Sequence, residues 1–591
     1  MASVIGKRVG GKTYYYLATS ARVDGKPRIV SQKYLGTAAD IEAAMDGAVS
    51  MPSRTRHLAF GDLAATWAVI EKLDVVGIID RVAGGRRADA GASVGVYLAL
   101  AAMNRVVAPC SKLAFADWWA GTAGDRLVPV AGAALDHRRF WDAMHAVDID
   151  ALAEIERRIA ARAITVFGLD TSSMALDMTN FATYIDSTNG RAPIAQRGKA
   201  KQKRSDLRLV GLGLVLTRDG GVPLLSHAYP GDRPDVTQFA GMIDELAARH
   251  RDLSRAGSAD PPGPSGAAGP SGAAGLSGSA ELTAELTAEL TVVFDAGQNS
   301  EPNFEHLTEA GLGYVGSLPP SDRDELLAIP ISDYQRIDAF DGLHAVEVGT
   351  IDALGRSHRG VLTHSAELHA GQARGLDQTL AKAERELDKI SQVLASGRGR
   401  RTHEQLATAI GKITNKRWIR DLLTTTVTGD RPSTFRLTWH VDDQARTALE
   451  QRLFGKRILI TDRHTWTTTD VIAGYRSQSD AEFGFRQLKD PHLVSFSPMR
   501  HWTEHNIRVH ALYCVLALMI AHLMRRIAHQ AGLHLSVREL LAQLANIQQT
   551  VLLYLGQRGR PKARHVITDR TDLQQQLFDL FDLARWAPPA R

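Results

Sequence analysis

Three short apolar stretches that each end in an aspartate decide the fold that this sequence predicts. They read AITVFGLD (163–170), LTVVFD (290–295) and ILITD (458–462). Each is rich in β-branched residues and has the length of one buried strand. Open α/β sheets present polar groups at the carboxyl ends of their strands. The pattern therefore predicts an α/β fold with carboxylates at a sheet edge, although an aspartate after an apolar run also serves as a helix cap or turn residue.

A fourth segment, YRSQSDAEFGFRQLK (475–489), places one acid between an amide and two bases. On a helix, residues three or four apart share a face, and here that face would carry Tyr475, Gln478, Glu482, Arg486 and Lys489. Such a carboxylate suits a metal ion, while the neighbouring cations suit phosphates. The alternative interpretation is an exposed helix with a single Glu–Arg ion pair.

The composition excludes several classes of protein. The chain has 591 residues, 44% hydrophobic and 23% charged, which indicates several globular domains and excludes a mainly disordered or fibrous protein. Only Cys110 and Cys514 are present, so a disulfide framework and a cysteine-rich zinc site are excluded. The N-terminus has no apolar segment of signal-peptide length, and the apolar stretch 511–524, about 14 residues, is predicted to be too short to span a bilayer. We expect a protein of a reducing compartment.

Basic residues cluster although the net charge is only +5, from 70 Lys and Arg against 65 Asp and Glu. The clusters lie at 7–33, 197–208 and 398–401. Clusters of this kind suit a polyanion, because each cation that contacts a phosphate releases condensed counterions. Solvated loops are the alternative interpretation. In the second cluster, the residues predicted to grip a phosphate backbone are Lys199, Lys201, Lys203 and Arg204.

The remaining chain divides by pattern. Residues 1–36 alternate apolar and polar around two turn signals and predict a three-stranded meander, with strands near 2–8, 13–20 and 28–34. Its seven basic residues against one acid fit nucleic-acid contact, whereas a charged edge sheet is the alternative. Residues 57–162 predict an all-α region. The PSGAAG-rich segment 256–289 predicts a linker without chemistry.

The motifs GLDTSS (168–173), VVFDAG (292–297) and Y-x2-Q-x3-E-x6-K (475–489) resemble the three acidic motifs of the DDE transposases of bacterial insertion sequences. More narrowly, they resemble the large branch with a Y-R-E-K-type signature, whose ribonuclease-H-like core has a β-rich insertion before the glutamate. Supporting stretches are HAYPGDRPD (227–235), RHWTEHNIRVH (500–510) and GKTYYYLATSARVDGKPR (11–28). Gln478 occupies the arginine position of the signature, which is a departure from the family pattern.

The resemblance implies that Asp170, Asp295 and Glu482 are the catalytic residues and bind two Mg²⁺ ions, with Mn²⁺ as a substitute. It also implies that Tyr475 and Lys489 are the tyrosine and lysine of the signature and bind phosphates. Either Arg476 or Arg486 could substitute for the missing arginine, and Arg486 is the predicted phosphate contact. The implied function is a transposase that binds the ends of its insertion sequence and catalyses DNA strand cleavage and strand transfer. The implied partners are terminal inverted repeats, target DNA and a second subunit of a homodimer. We expect a bacterial cytoplasmic protein associated with the nucleoid, without a membrane partner.

The same resemblance predicts an α/β architecture, a ribonuclease-H-like catalytic core with a β-containing insertion, preceded by an all-α region and the N-terminal meander. Core strands are expected near 163–169, 208–216, 221–228 and 290–295 and within 310–335, with a glutamate helix at 477–490 and an apolar helix at 504–527. The expected domains are a DNA-contacting meander (1–40), an α-helical DNA-binding region (55–162), the first part of the core (163–335), the insertion (336–470), the second part of the core (471–531) and a helical tail (532–591).

Four alternatives remain open. Asp462 is a rival third metal ligand, but the helix of Glu482 also supplies Lys489, so Glu482 is preferred. A zinc site at His501, His505 and His510 lacks a HExxH pattern or a cysteine partner. The chain could also be a catalytically inactive, transposase-derived DNA-binding regulator, or a nuclease that cuts without joining.

Overall fold

The structure is a computed structural model that describes residues 2–23, 26–49, 52–84, 89–199, 206–257, 290–320, 323–397, 400–554 and 562–589. Most of the low-complexity segment, 258–289, and the predicted phosphate contacts Lys201, Lys203 and Arg204 lie outside these residues. The chain divides into two compact units. The first comprises Met1–Ala65, Ala116–Pro129 and Glu539–Arg591, and the second comprises Thr66–Phe115 and Val130–Arg538.

The first unit begins with an antiparallel sheet of three strands in the order β1 (Ala2–Val9), β2 (Lys12–Val23) and β3 (Lys26–Gly36). The three strands of the predicted meander are confirmed. Gly10 and Gly11, both with positive φ, make the first turn, a conformation that glycine adopts at little cost. Helix α1 (Ala38–Val49) follows, and then strand β4 (Arg54–Ala59).

The next region is mainly helical, as the spacing of its apolar residues predicts. Its helices are α2 (Gly61–Lys72), α3 (Val75–Ala83), α4 (Val94–Val107), α5 (Phe115–Ala120), α6 (His137–His145) and α7 (Ile149–Phe167). Within the second unit, α4 packs against α3 and α6, and Ser93 caps it by accepting the backbone N–H of Val96.

The strand predicted at 163–169 is wrong, because helix α7 continues to Phe167. Ile155, Ile159 and Ala163 are buried at intervals of four residues, so the end of the apolar run belongs to a helical stripe. Gly168 then ends the helix in the left-handed conformation, with φ 57°. A β-branched run of this length is too short to show the periodicity of either a strand or a helix. The preceding helical turns therefore decided its conformation.

The second unit is built on a nine-stranded mixed sheet. Its strands are β5 (Ser173–Thr183), β6 (Arg208–Thr217), β7 (Pro223–Pro230), β8 (Thr291–Val293), β9 (Gly313–Leu318), β10 (Gln335–Arg336), β11 (Leu343–Ala353), β12 (Arg356–Ser365) and β15 (Lys456–Thr461). They lie in the order β10-β11-β12-β15-β9-β8-β5-β6-β7. Strands β5, β8 and β9 are parallel and all other pairs are antiparallel.

Four of the five predicted core strands are therefore confirmed, and the fifth is displaced to Ser173–Thr183. The sheet is wider than the five strands expected, because four strands of the 336–470 insertion extend it beyond β9. The other two strands of the insertion, β13 (Leu423–Thr428) and β14 (Arg436–Val441), form a separate hairpin. This hairpin packs with the insertion helices α11 (Ala366–Ala395), α12 (His403–Thr414), α13 (Ile419–Leu422) and α14 (Asp443–Leu453) around its own apolar core.

Helices cover both faces of the central strands. On one face, Phe294 packs between Phe239 of α8 (Phe239–Gly257) and Phe304 of α9 (Glu301–Glu309), with ring centroids 5.0 and 5.6 Å away. A short helix, α10 (Asp324–Leu327), follows β9. The helices α15 (Thr468–Arg476), α16 (Gln478–Leu488) and α17 (Glu504–Gln530) come after β15. The predicted glutamate helix and the apolar helix are both confirmed.

The helix that contains the apolar stretch 511–524, α17, is longer than the stretch alone predicted. Residues 511–524 are the centre of a 27-residue helix that is long and apolar enough to cross a membrane. However, 94% of its most apolar window is buried inside the protein. It packs against α4, α7 and β7, as the core helix of a globular unit does.

The C-terminal tail is not entirely helical, contrary to expectation. Between α18 (Val537–Ala545) and α19 (Asp572–Leu580) lie strands β16 (Gln548–Tyr554) and β17 (Lys562–Ile567). Strand β16 is the centre of a sheet in the order β17-β16-β4. Its partner β4 lies near the other end of the chain, so local sequence gave no sign of the pairing.

Candidate active site

Asp170 and Asp295 lie at opposite ends of the same strand pair. Asp170 is exposed between α7 and β5, and its Oδ1 accepts the backbone N–H of Ser172 at 2.9 Å. Ser173 and Thr291, the first residues of β5 and β8, pair with each other, and Asp295 follows four residues after Thr291. Four residues of strand span ~13 Å. The structure therefore does not bring Asp170 and Asp295 together.

Asp177, a residue that the sequence analysis missed, lies beside Asp295 instead. The parallel register pairs Ala175 with Val293, and Asp295 keeps an extended backbone, with φ −87° and ψ 172°. Continuing this register by two residues places Asp177 and Asp295 on adjacent strands ~4.8 Å apart, with side chains on the same face. Two carboxylates thus converge at the carboxyl edge of the sheet.

A signal for Asp177 is present in the sequence. It is an acid in the middle of the run SMALDMTNFAT, whose other members are mostly buried. Acids rarely occupy such strand positions unless they are paired or functional. The Oδ1 atom of Asp177 accepts the backbone N–H of Met178 at 2.7 Å.

Helix α16 places Glu482 over the same face. Gln478 Nε2 donates to the carbonyl of Leu176 at 3.2 Å, and Lys489 Nζ donates to Thr179 Oγ1 at 2.7 Å. Thr179 shares its face of β5 with Asp177, because the two residues are separated by one position. Glu482 is exposed and lies on the helical stripe between Gln478 and Lys489. The helix therefore carries Glu482 over the strand that holds Asp177.

Tyr475 reaches this face from a different helix than predicted. The segment 475–489 is broken at Ser477, so Tyr475 ends α15 while Glu482 belongs to α16. Its hydroxyl donates to Ser317 Oγ at 3.0 Å and accepts from Arg457 at 3.1 Å. Because Val315 pairs with Val293, the same register places Ser317 level with Asp295. The hydroxyl of the buried Tyr475 thus connects β9 with β15 and supports the site. The contact of Tyr475 with a phosphate stays a prediction.

The basic residues predicted to bind phosphate differ in their exposure and in their contacts. Lys489 is half-buried, with Nζ 5.6 Å from the ring centroid of Phe181. Arg486 is exposed, and its guanidinium lies 5.7 Å from the ring centroid of Phe483. Lys199 is also exposed, and its carbonyl accepts from Asn180 Nδ2 at 3.0 Å. The described part of the 197–208 cluster therefore begins beside β5.

Asp462, the rival third ligand, lies at the other edge. Strand β15 is antiparallel to β9, so its carboxyl end lies at the amino ends of β8 and β9. There the Oδ1 atom of Asp462 accepts the backbone N–H of Tyr314 at 2.9 Å. Burial raises the pKa of the Asp462 carboxyl. This aspartate ties two strands together, away from Asp177 and Asp295.

The three histidines considered as zinc ligands have protein partners. His510 is buried and donates Nε2–H to the carbonyl of Phe496 at 2.7 Å, and its Nδ1 lies 3.1 Å from His501 Nε2. His505 Nε2 contacts the carbonyl of Met144 at 2.9 Å. Burial lowers the pKa of His501 to about 3. These contacts agree with a packing role.

The donor chemistry of Asp177, Asp295 and Glu482 fits a divalent metal, because carboxylate oxygens are the ligands that Mg²⁺ prefers. Within the described residues, however, no group of three or more His, Cys, Asp or Glu side chains is gathered closely enough to hold an ion. Asp295 Oδ1 instead accepts the backbone N–H of Gly297 at 2.9 Å.

Comparison with known proteins adds little to this geometry. Among solved structures, the chain is similar to the piggyBac transposase in its synaptic complex with hairpin DNA, with 9% identity and a TM-score of 0.36. The similarity covers 84% of this chain and 82% of that chain. No family model matches this chain, and no curated protein matches it. A functional assignment therefore depends on the residues of this chain.

Proposed function

We propose that this protein is a transposase that uses Asp177, Asp295 and Glu482 as the metal ligands for DNA strand cleavage and strand transfer. The observation that carries the proposal is the parallel register of β5 and β8, which sets Asp177 beside Asp295 under the helix of Glu482. The motif resemblance supports the reaction class. In this proposal Asp177 takes the role that the motif alignment gave to Asp170.

The arrangement of the core supports the same reading. Five central strands, β7-β6-β5-β8-β9, form a mixed sheet covered by helices, as expected of a ribonuclease-H-like core. The β-containing insertion lies between β9 and the glutamate helix, where the resemblance places it. The carboxylates come from the central strand β5, from the end of its parallel neighbour β8 and from a helix packed on β5 and β6.

The roles of the residues follow from their positions. When bound, a pair of divalent ions would supply an activated attacking oxygen and stabilise the leaving oxygen of the phosphodiester. Asp177, Asp295 and Glu482 would hold these ions, with Asp177 on β5, which pairs with β8 and packs under the helix of Glu482. Lys489 and Arg486, on the helix of Glu482, hold phosphates on either side of the cut. The Tyr475 hydroxyl holds Ser317, which is level with Asp295, and accepts a hydrogen bond from Arg457 of β15.

The first test is a cleavage assay with Mg²⁺ or Mn²⁺ on a duplex that carries the DNA flanking this gene. It compares wild type with Asp177→Asn and with the matched control Asp170→Asn. We expect nicks at defined ends for wild type and for the control, and loss of nicking with retained DNA binding for Asp177→Asn.

Four results would contradict the proposal. Full cleavage by Asp177→Asn, or loss of cleavage only in Asp170→Asn, would remove Asp177 from the active site. Specific binding by wild type without any cleavage would instead support the inactive regulator. Cleavage without joining of the freed 3′ end to a second DNA would identify a nuclease.

A further inference from the structure

A short turn after β8 holds a side-chain amide at the edge of the sheet where Asp295 lies. Residues Ala296–Gln298 form a 3₁₀ turn, and Asn299 ends it by donating its backbone N–H to the carbonyl of Ala296. The Nδ2 atom of Asn299 donates to the carbonyl of Ser317, in β9, at 2.8 Å. The side chain of Asn299 therefore leaves the turn on the side of β9.

The strand register places this amide beside Asp295. The carbonyl of Val315 accepts the backbone N–H of Phe294, so it points from β9 toward β8. Carbonyls two residues apart on a strand point to the same side, so the carbonyl of Ser317 also points toward β8. Strand β8 has ended there, and Asp295 continues its path at the level of Ser317. The Nδ2 atom of Asn299 thus takes the place of the next backbone donor in the ladder.

The oxygen of the same amide lacks a protein partner. The Oδ1 atom of Asn299 is buried and accepts no hydrogen bond from any residue that the structure describes. Exchanging the two amide atoms does not correct this, because the oxygen would then face the carbonyl oxygen of Ser317. A buried acceptor without a donor costs free energy, so an oxygen in this position is suited to a water molecule or a cation.

The charges at this edge favour a cation. Asp177, Asp295 and Glu482 already bring three carboxylates to the carboxyl edge, and a fourth charged ligand would add to their mutual repulsion. A neutral amide oxygen is a hard donor that suits Mg²⁺ and Mn²⁺ and adds no charge. The oxygen of Asn299 therefore has the chemistry of a further ligand beside Asp295. A bound water molecule is the alternative occupant.

We propose that Asn299 Oδ1 is a ligand of the divalent cation that Asp295 binds at the carboxyl edge of the sheet. This inference rests on the proposed function for the presence of the cation. It adds a neutral ligand that lies outside the three acidic motifs. Ser317 is then a positioning residue, since its carbonyl holds Nδ2 of Asn299 and so directs Oδ1.

The test separates the two polar atoms of the amide. Asn299→Asp keeps an oxygen in the position of Oδ1 but removes the donor to Ser317, whereas Asn299→Ala removes both. Binding of Mn²⁺ to the full-length protein, without DNA, is measured by the decrease in the electron paramagnetic resonance signal of free Mn²⁺. The reference variant is Asp295→Asn. The matched control is Gln298→Leu, which removes another buried amide oxygen of the same turn that lacks a partner.

We expect Asn299→Ala to weaken Mn²⁺ binding on the order of tenfold or more, since even residues that only orient a metal ligand have effects of this size. Asn299→Asp should bind Mn²⁺ at least as tightly as wild type, and Gln298→Leu should bind like wild type. Equal losses in Asn299→Ala and Asn299→Asp would overturn the proposal, because only the donor to Ser317 would then matter. An equal loss in Gln298→Leu would overturn it as well. Unchanged far-UV circular dichroism verifies that the variants fold.

The reference variant separates this inference from the catalytic one. If Asp295→Asn loses Mn²⁺ binding while Asn299→Ala binds like wild type, the carboxylate site stands, water is the occupant beside Asn299, and only the assignment of Asn299 fails. If Asp295→Asn binds Mn²⁺ like wild type, the carboxylate site is overturned and the assignment of Asn299 fails with it. Losses in both variants, with binding kept in Asn299→Asp, support both assignments.

Discussion

Asp170 and Asp462 lie at the amino edge of the parallel strands β5, β8 and β9, whereas the parallel register sets Asp177 level with Asp295 toward the carboxyl edge, where the helix of Glu482 packs on β5. All four aspartates belong to, or closely adjoin, apolar β-branched runs. Their difference lies in strand direction. An aspartate that follows a strand reaches the carboxyl edge of β5 only if that strand is parallel to β5, and Asp462 follows a strand that runs the other way. A sequence motif shows the apolar run and the acid that follows it, but not the direction of the strand within the sheet.

The largest expected effect is a difference in DNA cleavage between variants at the two edges of the sheet. Glu482→Gln removes one carboxylate charge from the carboxyl edge, and we expect cleavage to fall on the order of 10²-fold or more, since a metal site supplies several kcal/mol of transition-state stabilisation. Asp462→Asn removes a carboxylate charge from the amino edge and should leave cleavage unchanged. Single-turnover nicking of the flanking duplex measures both variants.

A loss of nicking in Asp462→Asn that matched the loss in Glu482→Gln would restore Asp462 as the third ligand. DNA binding by each variant, measured in the absence of metal, serves as the control. It shows whether a loss of nicking arises from the chemical step or from failure to bind.

A smaller effect should appear in the stability of the amino edge. Asp462→Ala leaves the backbone N–H of Tyr314 without its acceptor, and we expect a loss of about 1–3 kcal/mol in the free energy of unfolding. Asp462→Asn keeps an acceptor and should lose less. Because burial raises the pKa of Asp462 in the folded state, its ionisation disfavours folding. The stability of wild type relative to Asp462→Asn should therefore fall as pH rises through that pKa.

Urea unfolding of the three proteins at neutral pH and at pH values approaching the ordinary range of an aspartate measures these differences. If the free energy of unfolding of wild type rose relative to that of Asp462→Asn with increasing pH, the ionised carboxylate would be the stabilising form. The assignment of Asp462 as a buried link between two strands would then be wrong.

The smallest expected effect concerns an exposed cation beside the carboxyl edge. Arg486→Gln removes one exposed cation from the helix of Glu482, and we expect the slope of log affinity against log salt to fall by about 1, uniformly across DNA sequences. Lys389→Gln on α11 is the matched control. An unchanged slope for Arg486→Gln would show that this arginine does not touch a phosphate and that its contact with Phe483 is its whole role.

The sequence by itself determined the features that depend on local pattern. The N-terminal meander, the strands at Arg208–Thr217 and Pro223–Pro230, the glutamate helix and the apolar helix Glu504–Gln530 were all predictable. Each has alternation, helical spacing or turn residues long enough to specify it. The acids Asp295 and Glu482 were identified in the same way, since each follows or lies within such a pattern.

Only the tertiary structure decided which acids meet. The run ending at Asp170 became the last turn of α7 because a helical stripe already ran through it, and this moved the strand to Ser173–Thr183. The pairing of β16 with β4 joined segments from the two ends of the chain. Asp177 gained its neighbour through the parallel register of β5 and β8, whose members are more than a hundred residues apart. Contacts over such distances depend on strand direction and register, which no local run of residues specifies.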